Sequence, residues 1–109
     1  MLKNQIKRKM KFQDLEFNTH TWENRGVHAT ITTDKGYSIS VAAGYGFYST
    51  PGGIVKEKEA FKVNPKASDF VSFEVAVKDK NLPIEEQEWK ILGWQREEDI
   101  TQILKDYSK

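Results

Sequence analysis

The stretch GVHATITTDKGYSISVAAG, residues Gly26–Gly44, decides the fold. Within it, Gly26–Thr33 alternates Val, Ala and Ile with His and Thr, and Tyr37–Gly44 alternates apolar residues with Ser. Alternation over this length, in residues that favour strands, indicates two half-buried strands. Asp34–Gly36 supplies the residues of a tight turn between them. The sequence therefore predicts a β-hairpin.

Further strands are predicted towards the C-terminus. In DFVSFEVAVKD (Asp69–Asp79) the odd-numbered residues from 71 to 77 are all apolar, so this face should pack on the core. The short apolar run EWKILGW (Glu88–Trp94) predicts a strand or a segment that wraps onto the core. A weak strand is predicted at Glu59–Val63, before Asn64 and Pro65 break it.

The C-terminal stretch QREEDITQILKDYSK predicts a helix. Ile100, Ile103, Leu104 and Tyr107 follow the spacing i, i+3, i+4, i+7 and form one apolar stripe. Acidic residues stand in the first turn and lysines near the end, which suits the helix dipole. The fold class that follows is α+β: a small, mostly antiparallel four- to five-stranded sheet with one C-terminal helix packed on one face.

Length and charge define the domain organisation. The chain has 109 residues, 38% hydrophobic and 30% charged, which suggests one globular domain. Residues 1–11 carry five bases and no acid, whereas residues 12–109 carry twelve bases and sixteen acids, so +5 and −4 give the net charge of +1. We predict a basic N-terminal extension at 1–10 and a single α+β domain at 11–109. The extension is either a solvated tail or a region that attracts anionic surfaces.

Several function classes are excluded by composition. The chain has no cysteine, which excludes disulfides, thiolate metal sites and a Cys nucleophile. It has neither the apolar stretch of a signal peptide nor a run long enough for a membrane helix. The small net charge gives no global reason to expect nucleic acid. We expect a cytoplasmic protein without membrane contact and without a cofactor.

The stretch GYGFYSTPGG (Gly44–Gly53) contains four of the seven glycines. A strand precedes it, but the stretch completes no nucleotide-binding motif, because neither a helix nor a Gly-Lys-Ser/Thr ending follows. The glycines are better explained by positive φ angles and a sharp strand exit. The aromatic residues could contact a base or a partner's groove, or they could pack on the sheet edge. The candidate partner- or ligand-binding residues are Tyr45, Gly46, Phe47, Tyr48, Lys56 and Lys58.

Histidines give little support for catalysis or for metal binding. His20 and His28 are the only two, and their spacing matches no recurring metal motif. The sequence shows no nucleophile elbow, paired-carboxylate signature or Ser-His-Asp arrangement. We predict no catalytic residue, no metal site and no enzymatic activity.

Acidic residues near the C-terminus are predicted to form one acidic face, which could compete for a basic groove. The alternative is that these acidic residues only stabilise the start of a helix and keep the surface soluble. The residues concerned are Glu85, Glu86, Glu88, Glu97, Glu98 and Asp99. Trp89 and Trp94 flank KILG and are predicted to anchor the helix to the sheet, although a tryptophan could also lie in a dimer contact.

Four segments resemble, in this order, a group of small uncharacterised proteins from bacteriophage and prophage genomes. They cover about a third of the chain: MKFQDLEF (Met10–Phe17), GYSISV (Gly36–Val41), FEVAV (Phe73–Val77) and GWQREEDITQIL (Gly93–Leu104). The resemblance implies strands at the matching segments and a closing helix, and it implies no known activity, cofactor or catalytic residue. The chain departs from the pattern before Met10 and in the lysine-rich segment that precedes FEVAV.

The first functional hypothesis follows by analogy with small phage proteins. It is a non-enzymatic protein in the host cytoplasm that blocks or modulates a host protein, such as a defence protein, by stoichiometric binding through the loop and the acidic face. The alternative is a protein that binds or sequesters a nucleotide or another small molecule, as a homodimer or a higher oligomer. A weaker alternative is nucleic-acid binding through the basic N-terminal residues.

Overall fold

The computed structural model describes residues 10–53 and 58–108. The predicted hairpin is confirmed by strands β1 (Gly26–Thr32) and β2 (Tyr37–Tyr45), which pair antiparallel. The turn between them contains Gly36 at φ +89°, a backbone conformation that glycine adopts without steric cost.

Within the described residues, the sheet has five strands and is mostly antiparallel. Strand β3 (Gly52–Gly53) is a short parallel partner at the end of β2. Strand β4 (Phe73–Asp79) pairs antiparallel with β2, and β5 (Lys90–Gln95) pairs antiparallel with β4. The main order is therefore β1-β2-β4-β5, and β5 is an edge strand. The predicted α+β class and sheet are confirmed.

One face of the sheet carries the core. Helix α1 (Glu97–Asp106) buries Ile100 and Leu104 completely, in the same cluster as Val41 and Phe73. The predicted apolar stripe is thus the packing surface of the helix. We call this covered side of the sheet the inner face. The opposite side, the outer face, has no helix packed across it in the part of the chain that the structure describes.

The weak strand predicted at Glu59–Val63 is wrong. The chain forms a 3-10 helix at Lys58–Ala60, and no strand follows it before β4. Arg25 explains the difference, because its Nη1 donates to the carbonyl oxygen of Phe61 at 2.8 Å and to that of Lys58 at 3.4 Å. These carbonyls bind a side chain and not a neighbouring strand.

The apolar face predicted for Asp69–Asp79 is correct within β4 and wrong before it. Phe73, Val75 and Val77 are buried on the inner face, but Val71 is exposed. The amide of Val71 donates to the carbonyl oxygen of Thr50, so the chain here follows the glycine loop and the alternation starts only at β4.

Candidate functional site on the outer face

The glycine loop, Gly44–Gly53, is closed by its own backbone. The Phe47 amide donates to the Gly44 carbonyl at 3.1 Å, and the Gly46 amide donates to the Gly53 carbonyl at 2.9 Å. The Gly53 amide in turn donates to the Phe47 carbonyl at 2.7 Å. A phosphate-binding loop directs free amides at its anion. The amides of this loop named here have acceptors inside the protein.

Ser49 lies at the centre of this loop and is buried. Its Oγ accepts from the Gly44 amide and donates to the Pro51 carbonyl, both at 2.9 Å. Gly52 packs so closely that a Cβ there would meet the carbonyl oxygens of Phe47 and Ser49 at 2.6 Å. The loop is therefore a compact structure, and its glycines allow close packing.

Hydrogen bonds to neighbouring segments of the chain fix the position of the loop. The Thr50 amide donates to the Ser72 carbonyl at 3.2 Å, and the Tyr48 amide donates to Glu74 Oε1 at 3.1 Å. The Tyr48 carbonyl accepts from the Trp94 amide at 2.9 Å. The backbone of Tyr48 is thus tied to both β4 and β5.

The structure separates the predicted loop aromatics. Tyr45 is only 8% exposed, because its ring stacks on Trp22 at 4.8 Å and packs on Phe61 at 5.6 Å. Phe47 is half-buried, and Gly46 lies against the Trp22 ring. The Tyr45 ring is therefore packed within the protein.

Of the two predicted basic residues, the structure describes only Lys58. Lys56 lies outside the described residues. Lys58 forms an ion pair with Glu23 at 2.8 Å, and this hydrogen-bonded carboxylate raises the pKa of Lys58 above its usual value. A phosphate bound by Lys58 would have to compete with Glu23.

Tyr48 differs from its neighbours because it is 55% exposed and packs on another exposed ring. Its centroid lies 5.3 Å from that of Trp94, which is 60% exposed. Glu74, which binds the Tyr48 amide, alternates with the buried Phe73 and therefore lies on the outer face. The Tyr48–Trp94 pair is consequently on the outer face too.

Two more apolar residues of the β5 region share this face. Ile91 lies opposite Ala76, and Trp89 lies beside Lys78, whose Nζ is 4.5 Å from the centre of its ring. Both are more than 40% exposed. We call the set Tyr48, Trp89, Ile91 and Trp94 the outer-face strip.

The prediction that Trp89 and Trp94 anchor the helix is wrong. Neither belongs to the core cluster, and Leu92 occupies the position of β5 that packs against that cluster. Pairing between β4 and β5 shifts register beyond Leu92, where Trp94 has a φ of +53°. Such a bulge redirects a side chain. No signal in the sequence indicated this orientation, because Trp89 and Ile91 alternate with the charged Lys90, a pattern that by itself favours an inward-facing tryptophan.

The two groups of acidic residues lie on either side of β5 along the chain. Glu85, Glu86 and Glu88 precede β5, whereas Glu97 and Glu98 follow it in the first turn of α1. The six residues of β5 separate the groups by roughly 20 Å at about 3.3 Å per residue. The acidic groups therefore lie near the two ends of β5, with the apolar residues of that strand between them.

Glu97 and Glu98 of α1 also border a polar groove of about 440 Å³, which lies between this helix and the segment that contains Lys11 and Gln13. Its lining carries two lysines and two glutamates, so the formal charges cancel. The lining residues are Lys11, Gln13, Glu97, Glu98, Thr101, Gln102 and Lys105.

His28 lies on the outer face of β1, away from the strip. Its Nε2 is 2.9 Å from Ser40 Oγ and 3.0 Å from Thr30 Oγ1, which are cross-strand and same-strand polar contacts. Within 10–53 and 58–108, no group of three or more His, Asp or Glu side chains is placed to hold a metal ion.

No protein-family model, curated protein or solved structure matches this chain. The comparisons accordingly give no indication of an enzymatic activity. In the described part of the chain, every helix is too short or too polar to cross a bilayer.

Proposed function

We propose that this chain is a non-enzymatic binding protein that blocks or modulates another protein by stoichiometric contact through the outer-face strip. The observation that supports this proposal is the exposure of two tryptophans, a tyrosine and an isoleucine side by side on the uncovered face of the sheet. Tryptophan and tyrosine are the residue types that contribute most to binding hot spots.

The backbone of Trp94 supports a role beyond packing. A φ of +53° places a bulky residue in the left-handed region, which costs roughly 1–2 kcal/mol. The ring that this conformation directs is 60% exposed, so burial in the monomer recovers little of that cost. Strain of this kind is found at functional sites.

The partner to test first is a bacterial host protein, such as a defence protein, because of the resemblance to phage proteins. The nucleotide alternative receives less support from the loop. Its amides are hydrogen-bonded within the protein, and Lys58 is paired with Glu23.

The test is capture from a bacterial lysate by the tagged protein, measured as the molar ratio of a co-purifying protein. Replacing Tyr48 and Trp94 by alanine should abolish capture and lower the free energy of unfolding by about 0.5–1.5 kcal/mol for the lost ring pair, with a further loss for the buried part of each ring. Trp22→Ala is the matched control, because Trp22 is also an exposed tryptophan stacked on a tyrosine. It should leave capture unchanged.

Capture that survives the Tyr48 and Trp94 replacements would show that the strip is not the contact surface. A small molecule retained by the purified protein in native mass spectrometry, with no partner protein, would favour the nucleotide alternative.

A further inference from the structure

The far side of β5 is a sheet edge with unpaired backbone groups. The order β1-β2-β4-β5 places β5 at the end of the sheet, and no segment among residues 10–53 and 58–108 pairs with its far side. In an antiparallel sheet, residues that bond to the neighbouring strand alternate with residues whose N–H and C=O point away from it. Such an edge is a template for another strand.

The hydrogen-bond pattern of the sheet identifies the residue at the centre of this edge. The Lys80 amide donates to the carbonyl of Gly36, which lies opposite it at the end of the β2–β4 ladder. Even-numbered residues of β4 therefore bond to β2, and odd-numbered ones bond to β5 at Lys90 and Leu92. Ile91 lies between these two residues, so its N–H and C=O point outward.

The run WKILG, residues 89–93, has few of the features that protect a sheet edge. Proline, several charges or a bulge would hinder the addition of a strand. This run contains no proline and one charged residue, Lys90, and its pairing with β4 is regular up to the shift beyond Leu92. Its outer-face side chains, Trp89 and Ile91, are 43% and 46% exposed, so an added strand would cover part of both.

The run is complementary to itself in one antiparallel register. With Ile91 opposite Ile91 of the partner subunit, Trp89 lies opposite Gly93 of the partner subunit, where the missing side chain leaves room for the indole ring. Lys90 lies opposite Leu92 of the partner subunit, so no like charges face each other directly. A register centred on Lys90 would instead oppose the two lysines, which is unfavourable.

We infer that a second copy of this chain pairs with β5, antiparallel and centred on Ile91, and joins the two sheets into one. Each copy uses the same surface, as in a dimer with two-fold symmetry. The two-fold axis is perpendicular to the sheet, so the two outer faces lie on the same side and their strips adjoin. The dimer goes beyond the proposed function and does not depend on it.

Sedimentation equilibrium of the full chain measures the dimer. We expect a dissociation constant on the order of 10 µM, because a single pair of strands is at the small end of interface sizes. Ile91→Pro removes the outward N–H without removing a bond to β4, and it should raise the dissociation constant at least about tenfold.

Thr30→Pro is the matched control at the opposite edge of the sheet. The His28 amide bonds to Asn18 on the far side of β1, so the Thr30 amide, two residues further along the same strand, points to that side as well. The same substitution at this edge should leave the dissociation constant unchanged.

A charge exchange at Ile91 tests the register and serves if Ile91→Pro does not fold. Ile91→Lys and Ile91→Glu each place like charges opposite each other at the two-fold axis, and each should be monomeric at about 100 µM. Their equimolar mixture should form the dimer, because lysine then lies opposite glutamate. The exposure of Ile91 lets both variants fold, which circular dichroism checks.

A wild-type chain that stays monomeric at about 500 µM would overturn the inference. So would a dimer that survives Ile91→Pro, or a mixture of the two charge variants that stays monomeric. A dimer that is lost when Tyr48 and Trp94 are replaced by alanine but retained in Ile91→Pro would place the second copy on the strip, which also excludes pairing at the β5 edge.

Discussion

Ser49→Ala tests whether one hydroxyl holds the glycine loop in place. Ser49 is 5% exposed, and its Oγ accepts from the Gly44 amide and donates to the Pro51 carbonyl. Gly44 is buried, so its N–H loses this acceptor where water has little access, whereas Pro51 is exposed and its carbonyl can bind water. A buried donor left without a partner costs about 1–3 kcal/mol, and we take about 2 kcal/mol.

Urea unfolding followed by tryptophan fluorescence measures this effect. A loss of about 2 kcal/mol lowers the midpoint by about 1 M at a slope of about 2 kcal/mol per M. The melting temperature should fall by roughly 8–16 °C, at about 4–8 °C per kcal/mol. Ser68→Ala is the control, because Ser68 is exposed and the same substitution there should change the free energy of unfolding by less than about 0.5 kcal/mol.

Hydrogen exchange makes the test local. In Ser49→Ala, the amides of Phe47, Ser49 and Gly53 should exchange faster than in the wild type, because their acceptors belong to the loop that the hydroxyl holds. If Ser49→Ala and Ser68→Ala unfold at the same urea concentration, the hydroxyl does not stabilise the loop. A lower midpoint with unchanged exchange in the loop would likewise refute the reasoning.

Two further predictions concern the helix and a surface carboxylate. Leu104→Ala removes most of a fully buried side chain and should lower the free energy of unfolding by about 2–5 kcal/mol. Gln102→Ala is the control, because Gln102 is exposed on the same helix and its replacement should change the free energy of unfolding little. Equal effects of the two variants in urea unfolding would contradict the packing of α1. Hydrogen bonds from the Lys66 amide and Lys62 Nζ lower the pKa of Asp69 in the folded protein. The charged carboxylate therefore stabilises the folded state at pH values above the unfolded pKa of about 4. This contribution is lost as the pH falls through the folded pKa. Asp69→Asn should thus be less stable than the wild type at neutral pH, with a difference that shrinks in acid, and a difference independent of pH would exclude the charge as its cause.

Local periodicity was sufficient to predict the elements that bury one face. The alternation in Gly26–Thr33 and Tyr37–Gly44 predicted the hairpin, because successive side chains of a strand point to opposite sides and the apolar ones pack on the core. The stripe through Ile100 and Leu104 predicted the helix and its packing side, because apolar residues that recur every 3.6 residues lie on one side of a helix. These elements therefore required no knowledge of distant residues.

The candidate site could be predicted only in part, because distant partners decide which aromatics are exposed. Tyr45 and Tyr48 lie three residues apart on the same loop, yet Trp22 and Phe61 bury the first and Trp94 leaves the second exposed. Nothing in the loop sequence encodes that difference. The bulge that turns Trp94 outward arises from register in the pairing of β4 with β5, which is likewise a property of two segments together.

The extent to which the side chains of the outer-face strip are already fixed before binding affects the affinity of the proposed interaction. A partner that binds flexible side chains must immobilise each of them, at a cost of about 0.5–1.5 kcal/mol per side chain. Tyr48 is hydrogen-bonded through its amide to Glu74 and through its carbonyl to Trp94, and its ring packs on the Trp94 ring. Folding of the glycine loop thus fixes the backbone of Tyr48, and under the proposed function Ser49 would support the binding surface without touching the partner. A small domain with a preorganised aromatic surface suits a stoichiometric binder that does not have to fold on contact.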